Sequence, residues 1–173
     1  MWSSEAAGLR RRAALLAVIS GAAGLGPLAG CGFHIRQPAR LTFGSISLAG
    51  FAPRSPLAEA LRRELARSVR VLEPPAAPDV VLRALEDRRE RIVVASTSAA
   101  QVRELKLRLS LHFRALTPSG RELIPRVELL IDRDLSYNET AALAKEQEEA
   151  ELFRDMQSDV VAQVLRRLAS VSL

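Results

Sequence analysis

The sequence is poor in the residues on which covalent chemistry and metal binding depend. Cys31 is its only cysteine, and His34 and His112 are its only histidines. No second thiol is available for an internal disulfide, and the histidines have no neighbour at a spacing typical of a zinc site. No nucleophile elbow, phosphate-binding loop or Ser-His-Asp set is found either. We therefore predict that the chain is not an enzyme and binds no metal or cofactor.

Lysine is also scarce. Lys106 and Lys145 are the only two lysines, so arginine supplies nearly all of the positive charge. The formal net charge is +5, but three of the arginines fall within the first 12 residues. We attribute the arginine excess to the composition of the genome, and we expect no nucleic-acid partner.

The amino-terminal segment has the pattern of a secretory signal. Residues 13–28 form an uncharged, largely apolar run, shorter than the roughly 20 residues that a membrane-spanning helix needs. Arg10, Arg11 and Arg12 precede this run, and the small residues Ala29 and Gly30 follow it. Two simpler interpretations stay open, namely an ordinary signal peptide with a chance cysteine and an uncleaved anchor.

The letters L-A-G-C at residues 28–31 resemble the lipobox of bacterial lipoproteins. This resemblance implies a signal peptide at residues 1–30, lipid on Cys31 and a lipidated tether at residues 31–40. Two or three acyl chains make a stable anchor, because each buried methylene contributes about 0.8 kcal/mol. Gly32 stands where lipoproteins of the inner membrane tend to carry Asp, so we expect an outer-membrane, periplasm-facing, lipid-anchored protein.

The next part of the chain predicts a strand, a helix and a strand. Residues 41–51 predict a strand with a bulge at Gly44-Ser45. Ser55-Pro56 is typical of a helix start, and the apolar residues after it recur every four positions: Leu57, Leu61, Leu65 and Val69. After a proline-rich loop, residues 80–85 predict a strand, and residues 91–95 continue it or begin another. The charged run at residues 86–91 fits either a turn or an exposed strand.

The last part predicts a hairpin and a long helix. Leucine or phenylalanine occupies the odd positions from 105 to 113, and polar residues occupy the even ones, which predicts a strand over residues 102–116. After the turn at Pro118-Ser119-Gly120, residues 123–135 predict its partner, with a bulge or an edge at Pro125. Residues 139–169 predict one helix, and its inward stripe comprises Phe153, Met156, Val160, Val164 and Leu168.

This order of elements predicts a two-layer α/β (α+β) fold for residues 41–173. We expect a single domain with a mostly antiparallel four-stranded sheet and two helices packed on one face. The other face of the sheet is then polar, because it carries the even-numbered side chains of residues 102–116.

Motifs at both ends of the mature chain resemble one family. C-G-F-H-I-R at residues 31–36 is similar to the C-G-[FW]-H-[LI]-R opening of the lipopolysaccharide-assembly lipoprotein family LptE. Asn138, followed by A-L-A-K-E at residues 142–146, resembles the family's N-x-x-A-L-A-K-[DE] motif at the start of its final helix. V-R-E-L at residues 102–105 stands where members carry E-Y-x-[LM], with leucine in place of the aromatic residue. The resemblance extends over the whole mature chain.

The resemblance implies a non-catalytic domain that plugs the outer-membrane β-barrel LptD, helps it fold and takes part in delivering lipopolysaccharide to the outer leaflet. It also implies lipopolysaccharide binding through basic residues, one of which maps onto Lys145. A second basic position has no convincing match, because Ser96-Thr97-Ser98 occupies that region, with Arg91 and Arg103 only nearby. Lys106, Arg108 and Arg114 are further candidates, since positive charge, and guanidinium in particular, suits phosphate.

Simpler interpretations of these residues stay open. Lys145 could be a solvated residue of the helix surface with Glu146 and Glu149 as neighbours, and the three strand residues could be the ordinary polar side of a sheet. A free-standing lipid-anchored binding domain for a small ligand or cell-wall component is the alternative function, and a lipid-anchored hydrolase is a third. His34 belongs to the opening motif, but the sequence gives it no physical role.

Overall fold

The computed structural model describes residues 40–173, which fall within one structural unit. The predicted signal peptide and the predicted lipidation site Cys31 lie outside the described residues. The elements are, in chain order, β1 (Ser45–Ala49), α1 (Pro56–Leu65), β2 (Arg70–Val71), β3 (Val80–Ser96), β4 (Val102–Leu116), β5 (Glu122–Ser136), a 3-10 turn (Glu139–Ala141) and α2 (Ala142–Ala169).

The strands form one five-stranded mixed sheet in the order β2-β1-β3-β4-β5. β1 runs parallel to β2 and β3, whereas β3, β4 and β5 are antiparallel neighbours. The prediction of a mostly antiparallel four-stranded sheet was therefore wrong in the strand number and in the parallel pairs. The helix α1 returns the chain to the end of the sheet where β1 begins, so β2 runs parallel to β1. The loop after β2 returns the chain to that end once more, so β3 is also parallel to β1. β2 has only two residues, too few to produce a periodic pattern.

β3 settles the open question about residues 86–91, which belong to one continuous strand of 17 residues. A shift in register lies between Ala84 and Glu86, so Leu85 is bulged out of the pairing with β4. Ala84 lies opposite the buried Phe113, and beyond the bulge Arg89 and Arg91 lie opposite the buried Leu109 and Leu107. The bulge therefore turns these two arginines toward the same side of the sheet as the core.

The helix α1 begins as predicted. The Ser55 hydroxyl accepts a hydrogen bond from the backbone N–H of Ala58 (3.0 Å) and donates one to the Asp87 carboxylate of β3. The four residues of the predicted apolar stripe are all buried: Leu57, Leu61, Leu65 and Val69. Ser55 therefore caps the amino terminus of α1 and also joins the start of this helix to the sheet.

The helix α2 also has its predicted inward stripe, and both helices pack on one face of the sheet. All five residues of that stripe are buried: Phe153, Met156, Val160, Val164 and Leu168. They form a single hydrophobic cluster with the stripe of α1 and the inward side chains of the sheet, and the two helices contact each other. The charged side chains of β4 therefore lie on the opposite face.

The strand predicted over residues 41–51 is shorter in the structure, where β1 comprises Ser45–Ala49 and an aspartate binds its first N–H groups. The Asp79 carboxylate accepts hydrogen bonds from the backbone N–H groups of Gly44 (2.9 Å) and Ser45 (2.8 Å). Hydrogen bonds from the Ser45 side chain and from these N–H groups lower the pKa of Asp79 below its ordinary value. This carboxylate thus ties the start of β1 to the start of β3.

Candidate functional site

The open face of the sheet, which we define as the face opposite the two helices, carries rows of alternating charge across three strands. In one row Arg108 of β4 lies between Glu90 of β3 and Asp132 of β5. Its guanidinium donates two parallel hydrogen bonds to the Asp132 carboxylate, from Nε (2.9 Å) and from one terminal nitrogen (3.0 Å). This bidentate contact raises the pKa of Arg108 and lowers the pKa of Asp132.

The other two candidate residues on β4 have different surroundings. Lys106 lies 3.8 Å from the Asp134 carboxylate, whereas Arg114 lies opposite Arg83 and its buried Nε has no hydrogen-bond partner among residues 40–173. Lys106 and Arg114 are eight residues apart on one strand, or roughly 27 Å. The structure therefore places them at opposite ends of the open face, where one phosphate group cannot contact both.

His112 occupies the middle of the open face between two carboxylates. Its Nδ1 lies 3.3 Å from Glu86, and its Nε2 lies 3.4 Å from Glu128. One guanidinium nitrogen of Arg126 is 3.1 Å from Nδ1. Within the part of the chain that the structure describes, no group of three His, Cys, Asp or Glu side chains is arranged to hold a metal ion.

Lys145 lies in the first turn of α2, beside the end of β5. Its ammonium group donates hydrogen bonds to the Ser136 hydroxyl (3.2 Å) and to the Glu148 carboxylate (2.8 Å). The side chain is 19% exposed, so the charge is held against the protein and still reaches solvent. Glu148 is its ion-pair partner here, rather than the neighbours Glu146 and Glu149 that the sequence suggested.

A cleft of about 560 Å³ lies on the helix side of β3, between the start of α1 and the middle of α2. We call it the β3–α2 cleft. The Arg89 guanidinium lies 5.1 Å from the centre of the Phe153 ring, and the Arg91 guanidinium lies 5.7 Å from that of Tyr137. Arg91 also pairs with Glu149 at 3.4 Å. These two arginines, each over an aromatic ring, form the positive side of the cleft.

Two donors of the cleft have no protein partner within the described residues. Arg89 has no hydrogen bond or ion pair there, and partial desolvation beside Phe153 lowers its pKa. Gln157 lines the cleft, is only 7% exposed, and its side-chain nitrogen has no hydrogen-bond partner. Buried donors are normally satisfied, so an acceptor supplied from outside would complete this arrangement.

The sequence did not indicate this cleft. Residues 86–91 fitted a turn as well as a strand, so there was no basis for placing Arg89 and Arg91 on one face. The available signal was their separation by two positions, which brings two side chains of a strand to the same side. Phe153 was predicted to lie inward on α2, but its stacking partner is far away in sequence.

No helix in residues 40–173 is both long and apolar enough to cross a membrane.

Comparisons with known proteins agree on one family. The sequence profile of LptE, described as lipopolysaccharide-assembly, matches residues 43–168. A protein of Pectobacterium atrosepticum named LPS-assembly lipoprotein LptE is 29% identical over 150 residues, covering 83% of this chain and 79% of the relative. The protein of the same name from Photorhabdus laumondii is 27% identical over 148 residues, with the same two coverages.

A solved structure has a similar fold. The solution structure of lipoprotein B from Nitrosomonas europaea superimposes with a TM-score of 0.66 at 26% sequence identity. The match covers 80% of this chain and 91% of that protein. The similarity therefore extends over most of this chain and nearly all of that protein.

Proposed function

The chain belongs to the LptE family of lipopolysaccharide-assembly lipoproteins, and from this membership we propose that it plugs the lumen of an LptD-like outer-membrane β-barrel and helps deliver lipopolysaccharide to the outer leaflet. In this proposal residues 1–30 are a signal peptide, and lipid on Cys31 anchors residues 31–40 as a tether. Residues 41–173 form the single periplasm-facing domain. The domain acts by binding and positioning, without a covalent step.

The observation that carries the plug proposal is the open face of the sheet. It is polar, and several of its charges are already paired within the chain, as Arg108 is with Asp132. The lumens of large outer-membrane barrels are polar and some are filled by a plug. The paired part of this face can enter such a lumen without burying an unpaired charge, which would be costly. Arg114, which lies opposite Arg83, would need an acidic partner from the barrel or the ligand.

We further propose that Lys145 contacts a lipopolysaccharide phosphate, and that Lys106, Arg108 and Arg114 contribute positive charge to the ligand. Lys145 is the strongest of the four candidates. Its ammonium group has three N–H donors and contacts two acceptors in the structure, Ser136 and Glu148, so one donor remains for a phosphate oxygen. Arg108 would first have to leave Asp132.

Co-purification tests the plug proposal. A tagged full-length chain is isolated from detergent-solubilised outer membranes, and we expect a large β-barrel in equal amount. Depletion of the chain should lower both the mature barrel and the lipopolysaccharide at the cell surface. A matched variant carries a signal sequence without a lipobox in place of residues 1–31, and it should show how far the lipid serves assembly. Purification of the chain with no barrel, together with unchanged surface lipopolysaccharide, would favour the free-standing binding domain instead.

Charge substitutions test the ligand contacts. The lipidated chain is titrated with lipopolysaccharide in detergent, and Lys145→Ala should weaken binding by about tenfold, which is the loss of one charge-assisted hydrogen bond. Glu148→Gln, the matched control, frees Lys145 from its partner and should not weaken binding. Unchanged affinity in Lys145→Ala would remove this residue from the proposed site, and the same titration ranks Lys106→Ala, Arg108→Ala and Arg114→Ala.

A further inference from the structure

The far half of β3 is a strand with one free edge. β1 pairs only with residues 80–83 of β3, and no described strand continues along that side toward Ser96. The start of α1 lies beside β3 as far as Asp87, to which Ser55 donates a hydrogen bond. In an antiparallel pair, every second residue of a strand directs its N–H and C=O groups away from the partner strand. Beyond Asp87, β3 has such residues on the side opposite β4. Within residues 40–173, the groups of residues 88–93 that point this way have no strand partner, so they are available to an incoming strand.

The side chains of this free edge combine positive charge with exposed apolar surface. Arg89 and Arg91 lie on the helix side, in the β3–α2 cleft, about 7 Å apart as alternate strand residues are. Val93 and Val94 are 55% and 50% exposed. A bulge at Val94 ends regular pairing there, which leaves about six residues, the usual length of a strand.

We infer that an extended acidic polypeptide segment docks on β3 by adding a strand along residues 88–93, with one of its carboxylates in the β3–α2 cleft. The positive charge of the cleft indicates that the partner is acidic. Arg89 makes no hydrogen bond or ion pair within residues 40–173, although Asp87 acts on it electrostatically. Its guanidinium N–H groups, 5.1 Å from the Phe153 ring centre at the central carbon, are thus available to bind a carboxylate in a bidentate manner. Gln157 adds an unused amide donor at the same place.

The cleft favours one carboxylate over a doubly charged group. It is lined by three arginines and two glutamates, so its formal charge is close to that needed to neutralise a single acid.

The opposite edge of the sheet is a poor site for the same segment. β5 is interrupted by Pro125 and carries Asp132 and Asp134, which block pairing and repel acids. The acidic segment is therefore directed to β3.

Peptide selection on the full lipidated chain in detergent micelles tests the inference. A displayed library of random twelve-residue peptides is selected in parallel on the wild-type chain, on Arg89→Ala and on Arg88→Ala. Arg88 is the matched control, because it lies on the open face and pairs with Glu90 at 3.0 Å. We expect Asp and Glu to be enriched at alternate positions with the wild type and with Arg88→Ala, and this enrichment to be lost with Arg89→Ala.

A selected peptide then allows the contacts to be measured. Arg89→Ala should raise its dissociation constant by about tenfold, as should replacement of the acidic residue by Gln in the peptide. Glu149→Gln should lower it, because Glu149 competes for Arg91. Binding should slow amide hydrogen exchange in residues 88–93 but not in β5. The Gln peptide tests the wild-type chain directly if Arg89→Ala fails to fold.

Three results would overturn the inference. These are selection without acidic enrichment, peptide binding that leaves amide exchange of residues 88–93 unchanged, and displacement of the peptide by millimolar inorganic phosphate that itself binds in an Arg89-dependent way. The last result would identify the cleft as a phosphate site.

Discussion

Gly50, in the connection between β1 and α1, allows the packing of this connection against β3 to be measured with a single methyl group. Its φ angle is +77°, in the left-handed region, and a Cβ built there would overlap the backbone carbonyl oxygen of Ala84. The left-handed conformation costs an L-residue about 1–2 kcal/mol, and forcing a methyl group into a packed site adds about 1–3 kcal/mol. Gly50→Ala should therefore lower the free energy of unfolding by about 2–5 kcal/mol.

Gly120 provides the matched control for this prediction. Its φ angle is also positive, +91°, but a Cβ there would meet no atom within 4 Å. Gly120→Ala should therefore carry only the conformational cost, about 1–2 kcal/mol. Urea unfolding of both variants, followed by far-ultraviolet circular dichroism in detergent, gives the difference between them. Equal destabilisation of the two variants would contradict this prediction, because it would mean that the contact between Gly50 and Ala84 is absent or yields without cost.

Three further predictions concern the same fold. Ser55→Ala should lower the free energy of unfolding by about 1–2 kcal/mol through loss of the helix cap, whereas Ser55→Thr should retain most of it; equal losses in urea unfolding would contradict this. Met156→Ala should cost about 2–5 kcal/mol, because the side chain is fully buried, and a loss below 1 kcal/mol would show that the core refills the cavity. The pKa values of Asp79 and Asp132 lie below 3.8 in the fold, so their stabilising contribution is complete above the unfolded value and is lost as pH falls through the folded values. Thermal melts from pH 6 to pH 2 should show that Asp79→Asn and Asp132→Asn weaken this acid destabilisation, and unchanged pH profiles would argue against these pairings.

The elements that could be predicted from the sequence are those with long, regular periodicity. β4 begins and ends at the predicted residues, and the helix stripes of α1 and α2 are buried as expected. Each pattern is repeated over at least two helical turns or five alternations, so one exception does not hide it. Ser55 was recognisable as a cap because capping depends on local geometry alone.

The missed features depend on contacts between distant parts of the chain. β2 has two residues and exists because α1 returns the chain beside β1. β3 looked discontinuous because the bulge at Leu85 exchanges its inward and outward positions, so one strand carries two alternating patterns of opposite phase. The β3–α2 cleft follows from this exchange, since it brings Arg89 and Arg91 under α2. None of these contacts has a signature within a short window of sequence.

The pairing of charges on the open face determines which of the candidate basic residues can readily bind an external anion. Arg108 already has a bidentate carboxylate partner, and moving it to a phosphate would exchange one such contact for another while leaving Asp132 unpaired. Arg114, in contrast, has no carboxylate partner, because it lies opposite Arg83 and has an unused N–H donor. An anion between these two arginines would relieve their repulsion, so Arg114 gains more from an external negative charge than Arg108 does. If the proposed function holds, an anionic group of the ligand or of the partner should therefore be found first near Lys145 and Arg114, at the two ends of the sheet, and the paired charges in the centre should keep their partners.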